Sequence, residues 1–452
     1  MLILRLILAA IVVLMPNLAQ IRFDTGIQGM NLANLAMVVA LIAITLTRGG
    51  NETLPRTGEL TPPLVALAAT LAIGFAIAVD QQPANLREYA IDLKEAVFYP
   101  LFYLVFRRCR LNLAGTRQLV ILTMAVVAVA GVQAIRQGLD YGLGAFRESH
   151  RASGPFGDDY RMANLAGAYY AMFLPIFVAL ALFLREQRFW RLAAVAGAAI
   201  LAFAIMVTYS RQSYLIALVC IALLLARRNL LLALLVGISM WSMVDRLPDS
   251  VTERVVETRQ ADGVGAPKLD VSTSSRFDIW KGALQMWADH PMGVGLGRFQ
   301  EEIGEYATAY RNYDAHNFYI RLLAECGPLA LLALGWLLWR LARLALLVRR
   351  AAVGNGTEAL GLGAGFAVCA LAMVMTNLYG SRFLEGTVMG SFWILCGLME
   401  RLATLQARAA ARQPEGTRIA PPATDFGTRF PLAARALPGR AGGTGQDRPP
   451  RS

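Results

Sequence analysis

Residues 163–184 read ANLAGAYYAMFLPIFVALALFL, an apolar block without a single charge. A helix needs about 20 such residues to cross a hydrocarbon layer about 30 Å thick, so this stretch is read as a membrane span. A short charged break, Arg185-Glu186-Gln187-Arg188, separates it from a second block at 189–208. Outward from this pair, apolar blocks lie at 2–20, 30–47, 62–79, 92–107 and 118–135 on one side. On the other they lie at 212–226, 229–243, 317–339, 359–379 and 385–403. The pattern predicts an all-α polytopic membrane protein with about 12 transmembrane helices. Only 16% of the residues are charged and 56% are hydrophobic, whereas soluble chains carry roughly a quarter charged residues.

The first block resembles a signal peptide in length, but its only n-region charge is Arg5 and no small-residue cleavage site follows, so it is read as an anchor. Basic residues resist translocation and mark the cytoplasmic face. Here Arg48, then Arg107, Arg108, Arg110 and Arg117, then Arg185, Arg188 and Arg191 each follow an even-numbered block. Arg227 and Arg228, and finally Arg340, Arg343, Arg349 and Arg350, do the same. The alternation predicts two cytoplasmic termini. It also puts the 136–162 loop, the Ser210–Arg211 corner, the 244–315 loop and the Gly380–Gly386 turn on the outer face. Residues 1–403 are thus expected to form one transmembrane domain that includes a helical periplasmic loop at 244–315. The Arg-, Pro-, Gly- and Ala-rich stretch 404–452 is expected to be a disordered cytoplasmic tail whose arginines meet anionic membrane lipids.

The formal charge of +12, from 43 Lys+Arg and 31 Asp+Glu, is explained by this topology. No basic–aromatic module accompanies it, so no nucleic-acid partner is expected. Cys109, Cys220, Cys326, Cys369 and Cys396 form no CxxC pair, and four of the five fall in apolar blocks. They read as small buried hydrophobes, neither disulfides nor metal ligands.

Three stretches on the outer face carry chemistry. In Thr208-Tyr209-Ser210-Arg211-Gln212-Ser213 a guanidinium sits where two spans nearly touch, a costly position that an anion would relieve. In the large loop, Ser272-Thr273-Ser274-Ser275 precedes an amphipathic helix over 275–288 whose apolar positions are Phe277, Trp280, Leu284 and Trp287. Such a helix can lie on the membrane surface. It carries Arg276, and Pro291 with Gly293, Gly295 and Gly297 ends it, leaving His290 as a helix-end residue. Third, Tyr313-Asp314-Ala315-His316-Asn317-Phe318-Tyr319 leads into the longest span. Histidine exchanges protons near neutral pH, which makes His316 a candidate general base. Glu325 is an acid inside an apolar block, within reach of Arg321 or of the site.

In order and spacing these stretches resemble the O-antigen ligase and Wzy-type polysaccharide polymerase superfamily. The residues concerned are Ser210-Arg211; Arg276-Phe277-x-Ile279-Trp280; Pro291-x-Gly293-x-Gly295-x-Gly297; Ala315-His316-Asn317-x-Tyr319; and Glu325-x-Gly327. Arg151-Ala152-Ser153-Gly154-Pro155-Phe156, with Asn164, resembles the segment upstream of them in these proteins. The resemblance runs from about 150 to 345. It implies a transferase that moves a glycan from undecaprenyl diphosphate onto an acceptor hydroxyl, on lipid A-core or a growing polysaccharide, at the periplasmic face of the bacterial inner membrane. It further implies no cofactor, no metal and inversion at the anomeric carbon. By resemblance His316 is the base, Arg211 and Arg276 hold the diphosphate, and Arg151, Arg382, Asn317 and Tyr319 are candidate substrate contacts. The sequence does not separate ligase from polymerase. The lack of a large periplasmic C-terminal domain speaks against a protein-glycosylating branch. Two other classes compete: a transporter of a small anion such as bicarbonate, for which Glu325 is the supporting residue, and a non-catalytic membrane scaffold.

Overall fold

A computed structural model describes residues 2–21, 30–46, 57–142, 147–226 and 271–412, together with Phe23, Gly26, Leu54 and Pro55. The described residues are helical and contain no strand. The helices are α1 Leu2–Leu14, α2 Leu32–Leu46, α3 Thr61–Gln81, α4 Leu86–Phe98, α5 Leu101–Arg108, α6 Leu113–Tyr141, α7 Ala163–Phe183, α8 Arg188–Val207 and α9 Arg211–Ala226. After the large loop come α10 Val271–Asp289, α11 Phe299–Tyr306, α12 Phe318–Ala352, α13 Gly356–Thr376 and α14 Gly386–Arg412.

Seven of these elements are long and apolar enough to cross a membrane: α3, α6, α7 with the turn before it, α8, α12, α13 and α14. α1, α2 and α9 are apolar but shorter. The expected span at 92–107 is two helices, α4 and α5, because the chain bends at Tyr99-Pro100, where proline cannot continue the hydrogen-bond ladder. The span at 229–243 and the loop segment 244–270 lie outside the described residues, so twelve crossings are not reproduced as a count. Of the tail expected from 404, residues 404–412 continue α14, and residues 413–452 lie outside the described residues.

Burial, not hydropathy, separates the inner helices from the outer ones. α14 has the lowest mean hydropathy of the seven, 1.3, yet its apolar window is 94% buried, whereas α3 has 2.1 and is 28% buried. Lipid tails are as apolar as leucine, so a lipid-facing helix must be uniformly apolar while an inner one can trade apolar surface for close packing. α7 and α13 make such a contact: a Cβ on Gly365 would approach Ile176 to 2.6 Å, and one on Gly361 would meet Leu180.

Midway along α14 the less apolar interior holds a buried ion pair. Glu400 accepts from Arg107 Nε (2.7 Å) and from the Tyr103 hydroxyl (2.5 Å), and Arg107 also donates to the carbonyls of Pro55 and Thr57. Arg401 donates to the Arg107 and Leu111 carbonyls at the end of α5, where a cation meets the helix dipole favourably. Arg107, which the topology rule counts as a loop charge, is therefore an interior residue. All five cysteines are buried and free, as the sequence implies.

The long helix α12 is broken near its start. Gly327 has φ 72° and ψ −175°, and Pro328 follows. The break frees the carbonyls of Ala324 and Glu325, which accept from Val294 N and Gly295 N (2.9 Å each). Leu296 N donates to Gly74 O of α3 at 3.0 Å. The glycine loop is thus wedged between α3 and α12, and Gly295, at φ 106°, would bring a Cβ within 2.7 Å of the Ala78 backbone. Gly354 has a comparable φ of 82° but open space around it. Gly354→Ala is expected to cost about 1 kcal/mol for the left-handed backbone alone. Gly295→Ala, which adds a backbone clash, is expected to cost about 3 kcal/mol or more. Thermal unfolding of the purified variants in detergent measures the difference.

Candidate functional site

The site lies at the end of the bundle where α7, α9, α12 and α14 begin. Its anchor is the turn into α12. Asn317 caps that helix, its side chain accepting from Tyr319 N (3.0 Å) and Ile320 N (3.2 Å), as a capping asparagine does for otherwise unsatisfied amides. Phe318 N donates to Asn377 O at the end of α13 (3.0 Å), and the Asn377 side chain receives Phe383 N (2.7 Å). The Phe318 and Phe383 rings stack with centroids 4.8 Å apart. These contacts tie the His316 turn to the 377–385 turn.

His316 precedes the cap with φ 49°, a left-handed conformation that non-glycine residues rarely adopt. Its amide donates to Asp314 Oδ2 (2.9 Å), and its Nδ1 lies 3.6 Å from the same oxygen. Asp314 also accepts from Ser381 Oγ (3.0 Å) and pairs with Arg321 (3.2 Å). Arg321 reaches on to Glu325 (3.0 Å), which receives Phe299 N at the head of α11. One guanidinium thus spans from the histidine turn to the acid beside the α12 break. The expected Arg321–Glu325 contact is present. Asp314, Arg321 and Ser381 were not among the expected site residues, although the i, i+4 spacing of Arg321 and Glu325 on one helix face was a readable signal.

Two further cations act on the imidazole. Burial lowers the His316 pKa below the ordinary value of 6.5; Asp314 opposes this, while Arg276 and Arg382 add to the lowering. These cations and the burial together disfavour the charged imidazolium. Burial alone would raise the Asp314 carboxyl, but Arg321 and then His316 hold it below the usual carboxylate range. Arg382 sits in the 377–385 turn, largely buried, with its Nε lacking a hydrogen-bond partner. Glu385, 3.9 Å from the Arg382 guanidinium, is a rim carboxylate that sequence reasoning did not single out, and burial raises its pKa.

Arg276 is carried by α10, which begins at Val271, four residues before the expected start. The helix packs inward through a row of residues other than the apolar positions read in the sequence for a membrane-surface helix. Ile279, Ala283 and Met286 pack with Val294, Phe299 and Ile303, whereas Phe277 and Leu284 are exposed. Both rows of apolar residues have helical spacing, so α10 has two apolar faces, with Phe277 and Leu284 on the outer one. Trp280 bridges them, its indole N–H donating to Ala315 O (2.8 Å) directly before His316. His290 is exposed at the end of the helix.

Arg211 opens α9 from a corner. Tyr209, with φ 49°, turns the chain between α8 and α9, and Gln212 donates to Thr376 O (2.9 Å) next to Asn377. The corner thus adjoins the turn that holds Phe318 and Phe383. Arg151 serves this corner from behind. Buried, it donates to Thr208 O (3.0 Å), Glu148 (2.7 Å) and Asn164 (2.5 Å), while Ala152 N donates to Val207 O. Tyr319 ties α12 to α13 through Val374 O (3.0 Å). Of the seven expected site residues, His316, Arg276 and Arg382 converge, and Arg211 opens a helix whose next residue bonds to the neighbouring turn. Arg151, Asn317 and Tyr319 are engaged in holding the backbone around them.

Residues 162–335 match the family model described as O-Antigen ligase. Arg211, Arg276 and His316 fall inside that segment; Arg151 and Arg382 fall outside it. A comparison with curated proteins finds no match.

Because Arg321 neutralises two carboxylates with little solvent access, Arg321→Met is expected to destabilise the protein by about 3–5 kcal/mol. Adding Glu325→Gln to that variant is expected to recover part of the loss, because the two sites are coupled. Thermal or denaturant unfolding of the single and double variants checks both.

Proposed function

We propose that this chain, which belongs to the O-antigen ligase-like superfamily, moves a glycan from undecaprenyl diphosphate to an acceptor hydroxyl on lipid A-core or a growing surface polysaccharide. In this reading it is a multi-pass protein of the bacterial inner membrane, both termini are cytoplasmic and the His316 end faces the periplasm. The observation that carries the proposal is the meeting of one imidazole with Arg276 and the buried, incompletely partnered Arg382 at one end of an apolar bundle.

In the proposed reaction His316 takes the proton of the acceptor hydroxyl. The hydroxyl oxygen bonds to the anomeric carbon while the carbon–oxygen bond to the diphosphate breaks, and its electron pair leaves on undecaprenyl diphosphate. Attack opposite the leaving group inverts that carbon. Charge grows on the diphosphate as the bond breaks, and fixed guanidinium groups stabilise it with little reorganisation. Arg276 and Arg211 are assigned this part, with Arg382 beside them, so the proposed step needs no metal or nucleotide. Asp314 holds the imidazole turn in place, and the apolar bundle accommodates the prenyl chain.

A small-anion transporter is the competing reading, since a broken helix beside an acid is a transporter feature. In this chain the carbonyls freed at the α12 break are taken by Val294 and Gly295, and Glu325 is paired with Arg321. The break serves the glycine loop that packs between α3 and α12.

Purified protein given undecaprenyl-diphosphate glycan and a candidate acceptor should form the coupled product. His316→Ala should lower the rate by about 100-fold or more, the usual contribution of a positioned general base; an unchanged rate sinks the base assignment. The base works when neutral, so activity falls as pH drops through the His316 pKa. Removing Arg276 takes away a cation that disfavours imidazolium, so the pKa rises and the acid limb of the rate profile moves to higher pH. Arg276→Ala should show this shift with a rate loss of about 100-fold, and a limb that stays in place refutes the pairing. Orientation is checked separately by placing a cysteine at exposed Gln300 in this background of buried thiols. Labelling from the cytoplasmic side alone would overturn the topology.

A further inference from the structure

A second feature lies at the opposite end of the bundle from His316. α6 and α8 are in close contact near the Tyr209 corner, where a Cβ on Gly138 would strike Val207 and one on Gly131 would strike Ile200 and Leu201. Toward the start of α6 the two helices diverge and leave a cleft of about 390 Å³, with side walls that include Ile121, Ala125, Ala193 and Ala196 and a floor formed by α7 and α13. Its lining runs along α6 from Arg117 to Ala128, about 16 Å at helical rise, or roughly the hydrocarbon depth of one leaflet. The cleft is apolar except at its mouth. There Arg117 binds Glu358 through two nitrogens (2.6 and 2.5 Å), and Trp190 stands beside the pair. Arg185, Arg188 and Arg191 are exposed on the turn and first residues of α8 just outside, with Glu186 the one acid among them.

We propose that this cleft is a specific binding site for one anionic phospholipid of the leaflet opposite the His316 site. An acyl chain lies between α6 and α8, and the headgroup phosphate meets the arginines at the mouth. The shape argues for a chain, because a groove one leaflet deep, narrowing inward and lined by alanine and aliphatic side chains, offers nothing to a polar ligand. The charge argues for an anionic lipid over a zwitterionic one. Four arginines stand against two glutamates at the level where Trp190 marks the membrane interface, and basic pockets between transmembrane helices retain anionic headgroups. This site is separate from the proposed transfer reaction and does not depend on it.

Native mass spectrometry of the full chain, delipidated in detergent and then titrated with phosphatidylglycerol or phosphatidylcholine of the same acyl composition, tests the proposal. One phosphatidylglycerol should be retained with a preference of about tenfold, the order expected for two arginines near an anionic headgroup. Ala125→Trp, which fills the cleft, should remove the retained lipid. Arg188→Glu combined with Arg191→Glu should remove the preference while the fold is kept. Brominated phosphatidylglycerol on the unmutated chain, compared with Trp190→Phe, reads occupancy through quenching of Trp190 and needs no cleft-filling variant. Equal retention of the two lipids, quenching that fails to saturate, or displacement of phosphatidylglycerol by undecaprenyl phosphate would each overturn it.

Discussion

The arrangement around His316 depends on one buried cation. Arg321 sits on the first turns of α12, between an acid on the preceding turn and an acid four residues further along its own helix. Without it two carboxylates would face each other across an apolar interior, where charge is expensive. With it, the turn bearing His316, the head of α11 and the break at Gly327 become one rigid piece. The glycine loop then follows from the break. A broken helix exposes carbonyls that need donors, and a loop with glycine at three alternate positions can come close enough to provide them. What looks in the sequence like a helix stop is the part that sets the height of the site in the bundle.

The parts of this architecture that repeat along the chain were legible in the sequence. Uncharged blocks announced the long helices, and the quoted motifs singled out Arg276 and His316, which the structure brings together. The parts that depend on pairing between distant segments were not. Arg107 reads as one more basic loop residue until Glu400, nearly three hundred positions away, is placed beside it. Asn317 reads as a candidate substrate contact, and its second role as a helix cap shows only once the chain is seen to begin a helix there. The face of α10 could not be chosen because both of its apolar rows obey the same period, and only Phe299 and Ile303 of α11 decide between them. The bend at Pro100 shows the same limit in one dimension, since an apolar run fixes composition but not continuity.

Of the three non-glycine residues with left-handed backbone among the described residues, Tyr209 lies two positions before Arg211 and His316 is itself a candidate site residue. A strained residue persists only where its surroundings over-determine it. At Tyr209 the surroundings are Arg151 and the Ala152 amide holding the end of α8; at His316 they are Asp314, Ser381 and the Asn317 cap. Residues that touch no substrate in the proposed reaction thus decide where the reacting groups point. Arg151, Asn317 and Tyr319, expected as substrate contacts, also brace the backbone around them.

The wedged glycine loop also fixes when this protein becomes competent during its own manufacture. Its partners are Gly74 and Ala78 from an early helix and Ala324 and Glu325 from a late one, and the turn opposite His316 is supplied only at 377–385. Contacts so distant along the chain form late and slowly. A ribosome that has threaded the first three hundred residues into the bilayer has built most of the helices but no site. The candidate site is complete only once the last helices arrive and the earlier ones close around them.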